Sequence, residues 1–260
     1  MATYVIGDVH GCYDGLMGLL ELINFKNDDH LILLGDLINK GPDSTAVVDW
    51  VMQQSNCDVV LGNHDLYVLY NLIHQRHKPS PTAQLILNQS NSDDILNWLQ
   101  QQPLLIAKKN AFFCHAGIYP DWTDANIQYI LKHQSSFLQP ESLKTYFDYT
   151  KHTEQLHIDD SRFIIKALTE MRFLNRKDHS FVRGTDDNQD DDPEKIAWFD
   201  ITTIKYTKKT VFFGHWARLS QLNNHHTVCM DGGYVYGGEL LGIRLEDGQL
   251  FKLKNQQTNL

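Results

Sequence analysis

Long apolar runs are missing. Nothing in the 260 residues approaches the roughly 18–20 consecutive apolar positions that a bilayer-spanning helix needs. The first residues also lack a basic stretch, an apolar core and a small-residue cleavage site. They run almost directly into a strand, so the expected compartment is the cytoplasm, with no membrane association. Cysteine is scarce. Cys12, Cys57, Cys114 and Cys229 are scattered and form no CxxC pair, which argues against a disulfide framework or a thiolate zinc site. Reduced, mainly buried thiols are expected. Basic charge is short too: 23 Lys and Arg face 32 Asp and Glu, a net charge of -9. That argues against stable nucleic-acid binding as the main task. It leaves a phosphate ligand open, because a bound metal inverts the local charge. No internal repeat is found, and no linker long enough to separate two domains, so one domain over residues 1–260 is expected.

What is present is ordinary globular material, 42% hydrophobic and 21% charged. The acids are most concentrated in Asp186–Glu194, DDNQDDDPE, with six acids and no base. This run reads as a solvated surface loop and does not fit a calcium-binding EF-hand. Short aliphatic runs at Tyr4–Ile6, Leu31–Leu34, Val59–Leu61, Ala111–Cys114 and Val211–Phe213 each stop at Gly and polar residues, the pattern of buried strands. Leu16, Leu19, Leu20 and Ile23 recur at helical spacing, as do Ala46, Val47, Trp50 and Val51 after a cap at Asp43 or Ser44. Alternating strand and helix predicts right-handed crossovers and a largely parallel sheet in this half. The middle, about 66–176, reads as mostly helical, with stripes at Ile95, Trp98, Leu99 and at Ile164, Ile165, Leu168, Met171. At the end, Leu240–Leu245 and Leu250–Leu253 flank an Asp-Gly turn and predict a hairpin.

The polar residues that end the strands carry the chemistry. They are Gly7-Asp8-Val9-His10-Gly11, Gly35-Asp36 through Asn39-Lys40-Gly41-Pro42, Gly62-Asn63-His64-Asp65, His115-Ala116-Gly117 and Gly214-His215-Trp216. Taken alone, each is an ordinary turn or a core histidine. Together they place an Asp, Asn or His beside Gly at the end of every such strand, where open α/β sheets gather ligands. Asp8 and His10, two apart in extended chain, can share an ion. Asp36 can bridge to a second, completed by Asn63, His115 and His215. Mixed N/O ligation without thiolate suits manganese, iron, cobalt, nickel or zinc. Two such ions clamp a phosphoryl group, and the hydroxide between them attacks phosphorus in line. His64 is the candidate general acid, with Asp65 or Asn39 to orient it. Lys40 and Arg172 are candidate phosphate-binding cations. Trp216, Tyr234 and Tyr236 mark a region that could shape a base site.

GDVHG, GDLINKG, GNHD, HAG and GHW, in that order, resemble the calcineurin-like metallophosphoesterase superfamily on its phosphoprotein-phosphatase branch. Longer stretches are similar to the bacterial symmetrical dinucleoside-tetraphosphatase family over nearly the whole chain. They include GDLINKGPDS, NWLQQQPLL, HAGIYPDW, LTEMRF, FFGHWA and MDGGYVYGGELLGIRLEDGQ. The resemblance implies an α/β sandwich of two mixed sheets flanked by helices. It implies symmetrical hydrolysis of diadenosine 5',5'''-P1,P4-tetraphosphate to two ADP, with two divalent ions, manganese first. Asp8, His10 and Asp36 would hold one ion, Asp36, Asn63, His115 and His215 the other, and His64 would be the acid. Removal of nucleoside-tetraphosphate caps from RNA is implied too. The alternative on the same scaffold is a protein Ser/Thr phosphatase. Asn39-Lys40-Gly41 in place of Asp-Arg-Gly, GNHD in place of GNHE and GHWA in place of GHT speak against it. Lys40 cannot offer an arginine fork to phosphate, and Gly232 replaces the family's usual Thr. Monomer and homodimer are both compatible with the sequence.

Overall fold

The computed structural model describes residues 1–75, 77–149, 157–184, 192–219, 223–224 and 226–256. β1 (Thr3–Ile6), α1 (Tyr13–Leu22), β2 (His30–Leu33), α2 (Ser44–Met52) and β3 (Cys57–Val59) alternate at the start. α3 (Asn63–His74), α4 (Pro81–Leu87) and α5 (Ser92–Gln101) follow, then β4 (Leu105–Ala107) and β5 (Ala111–Cys114). Next come α6 (Asp124–Phe137), α7 (Pro140–Tyr149) and α8 (Ser161–Glu170). The chain finishes in strands: β6 (Phe173–Asn175), β7 (Phe181–Val182), β8 (Lys195–Ala197), β9 (Thr210–Phe213) and β10 (Asn223–Asn224). The last four are β11 (Thr227–Cys229), β12 (Asp231–Gly232), β13 (Glu239–Arg244) and β14 (Leu250–Lys254). Among the described residues, no helix is long and apolar enough to cross a membrane.

Two mixed sheets form the centre. The first runs β12-β13-β1-β2-β3, with β14 paired to β13; the second runs β10-β11-β9-β5-β4. β1, β2 and β3 are parallel, and so are β5, β9 and β11. Strand alternation explains why these short runs are apolar throughout. Val5, Ile32 and Leu34 face Phe113, Phe212, Val228 and Met230 between the sheets. Tyr4, Ile6, Leu31 and Leu33 point the other way, into a cluster with Leu16 and Leu19 of α1 and Val47 and Val51 of α2. A strand covered on both faces has no polar side to show. Asp43 caps α2 by accepting from the Ala46 N–H at 3.0 Å. The β13–β14 hairpin forms about the Asp-Gly turn, with Gly248 at φ +71°.

Three features depart from the pattern. β3 lies two residues earlier than the Val59–Leu61 run; Val60 still donates to Leu33, but Leu61 bonds to Pro103 instead of a strand. Among the described residues, the middle stretch holds six helices, α3–α8, and also β4 and β5 of the second sheet. A third, antiparallel sheet, β7-β6-β8, was not foreseen, because two- and three-residue strands carry no periodicity. Most of the acidic run, 186–191, lies outside the described residues; Asp192–Glu194 are exposed.

The register levels the strand ends. Ile6 pairs with Leu33 and Leu33 with Val59 in the first sheet; Phe113 pairs with Phe212 and Phe213 with Cys229 in the second. The loops that follow β1, β2, β3, β5 and β9 therefore leave at one edge of the sandwich. The chain crosses between the sheets through Met230, from β11 to β12. Gly7 lies directly against it, and a Cβ at Gly7 would overlap the Met230 carbonyl oxygen. Neither backbone can yield cheaply, so Gly7→Ala should destabilise the fold by about 1–3 kcal/mol, as overpacking does. A lowered urea midpoint with an unchanged slope would bear this out.

Candidate active site

The edge where the loops emerge gathers seven polar side chains from five strand ends. Asp8 and His10 follow β1, Asp36 follows β2, Asn63 and His64 open α3 after β3, His115 follows β5 and His215 follows β9. Ligand atoms of Asp8, Asp36 and His115 all lie within 4.8 Å of one another, and so do those of His10, Asp36 and His64. His10 Nε2 is 3.8 Å from Asp8 and 3.6 Å from Asp36. His115 Nε2 is 3.4 Å from Asp36 and 3.1 Å from Asn63 Oδ1. Strand alternation is not what joins Asp8 to His10: β1 ends at Ile6, and His10 turns in with φ +49°. Asp36, Asn39, Lys40 and His215 also have positive φ, between 48° and 74°. Asp, Asn and His tolerate this region better than most residues.

Backbone bonds hold these turns together. His10 donates to the Asp36 carbonyl and Gly41 to that of His10, while Gly214 donates to His115 across the second sheet. The His215 N–H points at both Asp8 oxygens, at 3.2 and 3.3 Å, and so ties the sheets to each other. The His64 N–H, in the first turn of α3, donates to Asp36 Oδ1 at 2.8 Å. Glycine is required where these elements touch. A Cβ at Gly214 would overlap Asp8 Oδ1, and one at Gly62 would overlap Asp36 Oδ1.

Electrostatics makes the cluster demand positive charge. Burial pushes Asp8 well above the usual carboxylate range, and the neighbouring Asp231 carboxylate pushes it further. Burial would raise Asp36 as well, but the charge and hydrogen bond of His115 pull it well below. Burial should depress His115, yet Asp36 and Asp8 raise it to about 10. His215 is driven well below its ordinary value by burial, then by Arg172 and His115. Its Nε2 is buried with no hydrogen-bond partner among the described residues. His115 Nδ1 is held by the Leu34 carbonyl at 2.8 Å, which directs Nε2 into the cluster. Buried carboxylates, an amide oxygen and imidazole nitrogens spaced 3–4 Å apart are the donor set of divalent transition ions. The residues fit such ions.

The remaining candidates separate clearly. Asn39 Nδ2 lies 2.8 Å from His64 Nδ1. Asp65 does something else: its oxygens accept from the Ile38 N–H at 3.2 Å and the Gly62 N–H at 2.9 Å, which caps α3. Arg172 lines the cavity and donates to the His215 carbonyl at 2.6 Å. Lys40 is exposed and stands outside the cavity lining. Trp216 is only 3% exposed, its ring edge-on to Phe173 and Phe199, so it packs and does not face the cavity. The thiols stay out of the chemistry, with burial pushing Cys12 up to about 11.

The cavity above the cluster is about 410 Å³ and reaches residues that the sequence reading passed over. Arg218 and Asp231 line it with Tyr236. Asp231 obeys the rule already used, a strand end with Asp beside Gly, and could have been found that way. Arg218 sits three residues past His215 on the same loop. Tyr236 is 64% exposed, with its ring 6.4 Å from that of His10. Its turn is set by Gly233 and Gly237, at φ +67° and +90°.

This fold and site are those of a metallophosphoesterase: the chain belongs to the calcineurin-like phosphoesterase family, which matches residues 1–218. More narrowly, it is similar to proteins named symmetrical bis(5'-nucleosyl)-tetraphosphatase. One from Vibrio cholerae serotype O1 is 35% identical, covering 96% of this chain and 97% of its own. One from Psychromonas ingrahamii is 35% identical, covering 100% and 99%. One from Chromobacterium violaceum is 31% identical, covering 98% and 96%. Among solved structures, a protein assigned as a diadenosine tetraphosphatase shares the fold, with TM-score 0.69 and 24% identity over 98% of this chain and 94% of that one. A cold-active protein tyrosine phosphatase variant also shares it, with TM-score 0.59 and 20% identity over 96% and 80%.

The glycine contacts give a direct check on the cluster. Gly214→Ala should displace Asp8 and weaken metal binding by about 10–100-fold, as loss of a supporting contact does. Metal content after gel filtration should drop, while the metal-free protein keeps its circular dichroism spectrum.

Proposed function

We propose that this chain hydrolyses dinucleoside tetraphosphates symmetrically, converting diadenosine 5',5'''-P1,P4-tetraphosphate to two ADP. The observation that carries the proposal is one constellation. A donor set of buried Asp8, His10, Asp36, His115 and His215 with half-buried Asn63 opens on a cavity that also presents Arg172, Arg218 and the exposed ring of Tyr236. The full-length likeness to proteins that bear the tetraphosphatase name supports the same substrate.

Asp8, His10 and Asp36 would hold one divalent ion, and Asp36, Asn63, His115 and His215 the other, with manganese proposed as the ion. When bound, the pair would neutralise the reacting phosphate and ionise a water beside it. The chain's own groups do the rest. Arg172 and Arg218 offer planar forks to the outer phosphates of a long anionic chain. His64 lines the cavity and donates a hydrogen bond to the leaving oxygen. Asn39 holds that ring at Nδ1. Lys40 adds charge from outside the cavity. Tyr236 offers its face to a base, and such stacking contributes about 1–3 kcal/mol. The same cleavage on a nucleoside-tetraphosphate cap would release the cap as a nucleoside diphosphate and leave an RNA with a 5'-diphosphate end, a second substrate of the same bond type. The proposed compartment is the cytoplasm.

Two measurements test the proposal. With manganese and diadenosine tetraphosphate, chromatography should give ADP as the sole product; AMP plus ATP, or no turnover, would overturn the symmetrical assignment. His64→Ala should lower kcat by about 10²–10³-fold, the usual loss for one donor at a developing charge, with metal content unchanged. Metal loss in that variant would make His64 a ligand instead.

A further inference from the structure

We propose that the cavity behind the second sheet is a second ligand site, taking a small aromatic anion, and that filling it tightens metal binding at the active edge. It lies apart from the cavity assigned to the substrate and does not depend on which substrate that is.

The cavity measures about 350 Å³. Phe212 and Val228 face the first sheet, so strand alternation turns Val211 of β9 and Thr227 of β11 outward, and both line the space. The opposite wall is irregular chain, residues 201–209, with the sequence ITTIKYTKK. All of its apolar side chains, Ile201, Ile204 and Tyr206, line this one cavity. Trp198 and Phe199, in the short helical turn Trp198–Asp200, close the floor. Water fills walls of this kind poorly, whereas a volume of this size with aromatic lining and few polar groups suits a small molecule. The charge at the mouth selects which. Lys208, Lys209 and His226 line it, and among the described residues no acid does. Lys208 is exposed. Lys209 gives one N–H to the Lys108 carbonyl at 2.9 Å, and an ammonium carries three donors. The acids joined to this stretch are engaged elsewhere. Asp124 accepts from the Thr207 N–H at 2.8 Å and from its hydroxyl at 2.6 Å, and Asp121 holds Lys205 and His179, each at 2.8 Å. An apolar space with aromatic walls and a cationic mouth recognises a flat ring that carries a carboxylate, sulfonate or phosphate.

The floor of this cavity is the back of the active edge. Trp198 packs against Gly117, where a Cβ would come within 2.5 Å of its Cε2, and its ring centre is 5.1 Å from that of Phe213. Phe199 stacks on Phe213 at 5.8 Å and meets Trp216 edge-on at 5.1 Å. Gly117 is two residues past His115, while Phe213 and Trp216 flank Gly214-His215. Two rings therefore separate the cavity from the turns that carry both histidine donors of the second sheet. A body in the cavity backs those rings and takes away the room into which the turns could open. Ions at the edge need the same closed turns. Two ligands that favour one arrangement favour each other, by the same factor in both directions.

The probe is anilinonaphthalene sulfonate, a flat aromatic body with a fixed anion, added to the full chain without metal. Its fluorescence should rise saturably, with one site per chain. Lys208→Glu, at the exposed mouth, should weaken binding about fivefold, as an exposed charge pair at its strongest would. Ile204→Ser, which removes part of an apolar wall, should weaken it about tenfold. The neutral phenylnaphthylamine should bind wild type and Lys208→Glu alike. Equal affinity of the sulfonate for wild type and both variants would overturn the site. If Ile204→Ser fails to fold, Lys208→Glu and the neutral control still decide. Displacement of the dye by ADP makes a nucleotide the occupant, and displacement by indoleacetate alone makes it an aromatic carboxylate; displacement by neither would overturn the ligand class. Manganese titrations, followed by the paramagnetic resonance of the free ion, should show about fivefold tighter binding with the dye bound, the low end of such coupling. The dye should gain the same factor from manganese, and Lys208→Glu without dye should bind manganese as wild type does. An unchanged manganese affinity with the dye bound would overturn the coupling. A chain that behaves this way but yields no ADP from the dinucleotide defeats only the hydrolase reading.

Discussion

Two buried carboxylates, Asp8 and Asp36, govern this molecule. Burying such charges costs several kcal/mol each unless positive charge stands beside them. Here the compensation comes from the opposite sheet. His115 after β5 pairs with Asp36, and the His215 N–H after β9 reaches Asp8. Both acids follow strands of the first sheet, and partners from the second complete their surroundings. The sandwich is therefore closed at this edge by an electrostatic requirement, while Val5, Ile32, Phe113 and Phe212 close the interior by apolar burial. Divalent ions would meet the same requirement more fully than a protonated histidine.

The backbone at this edge is held against its own preference. His10, Asp36, Asn39, Lys40 and His215 all sit in the left-handed region, where each costs on the order of 1–3 kcal/mol. Level strand ends and the bonds between loops, such as His10 to Asp36 and Gly41 to His10, over-determine these conformations. Strain of this kind is a means of pre-organisation. It keeps the donors aimed, so little ordering remains to be done during reaction.

Much of this was legible in the sequence. Strand-end Asp, Asn and His beside Gly identified the cluster, because parallel strands must end together and Gly must make room. The cap at Asp43, the stripes of α1, α2, α5 and α8 and the Asp-Gly hairpin follow from local rules that packing had no cause to override. What escaped depends on side-chain direction. Trp216 follows a cluster residue, yet its ring packs inward, and no spacing rule distinguishes a buried indole from a stacking one. Asp65 and Asn39 were equal candidates to hold His64 until the helix start showed Asp65 bonded to Gly62 and Ile38. Arg218 lies just past the GHWA stretch and Asp231 follows a strand in a stretch that neighbours the hairpin, and no ligand spacing marks either of them. The small third sheet has strands too short for any period to register.

The crossing at Met230 has a consequence for how the protein responds to its surroundings. One centre draws its donors from two sheets that the chain joins near that residue, so ions bound there would act as rivets through a seam. By mass action, anything that binds only the closed sandwich adds RT ln(1 + [L]/Kd) to its stability. The durability of this fold would thus be coupled to the free metal concentration around it. Under scarcity the seam should open first, which would put the two sheets among the earliest surfaces offered to a protease.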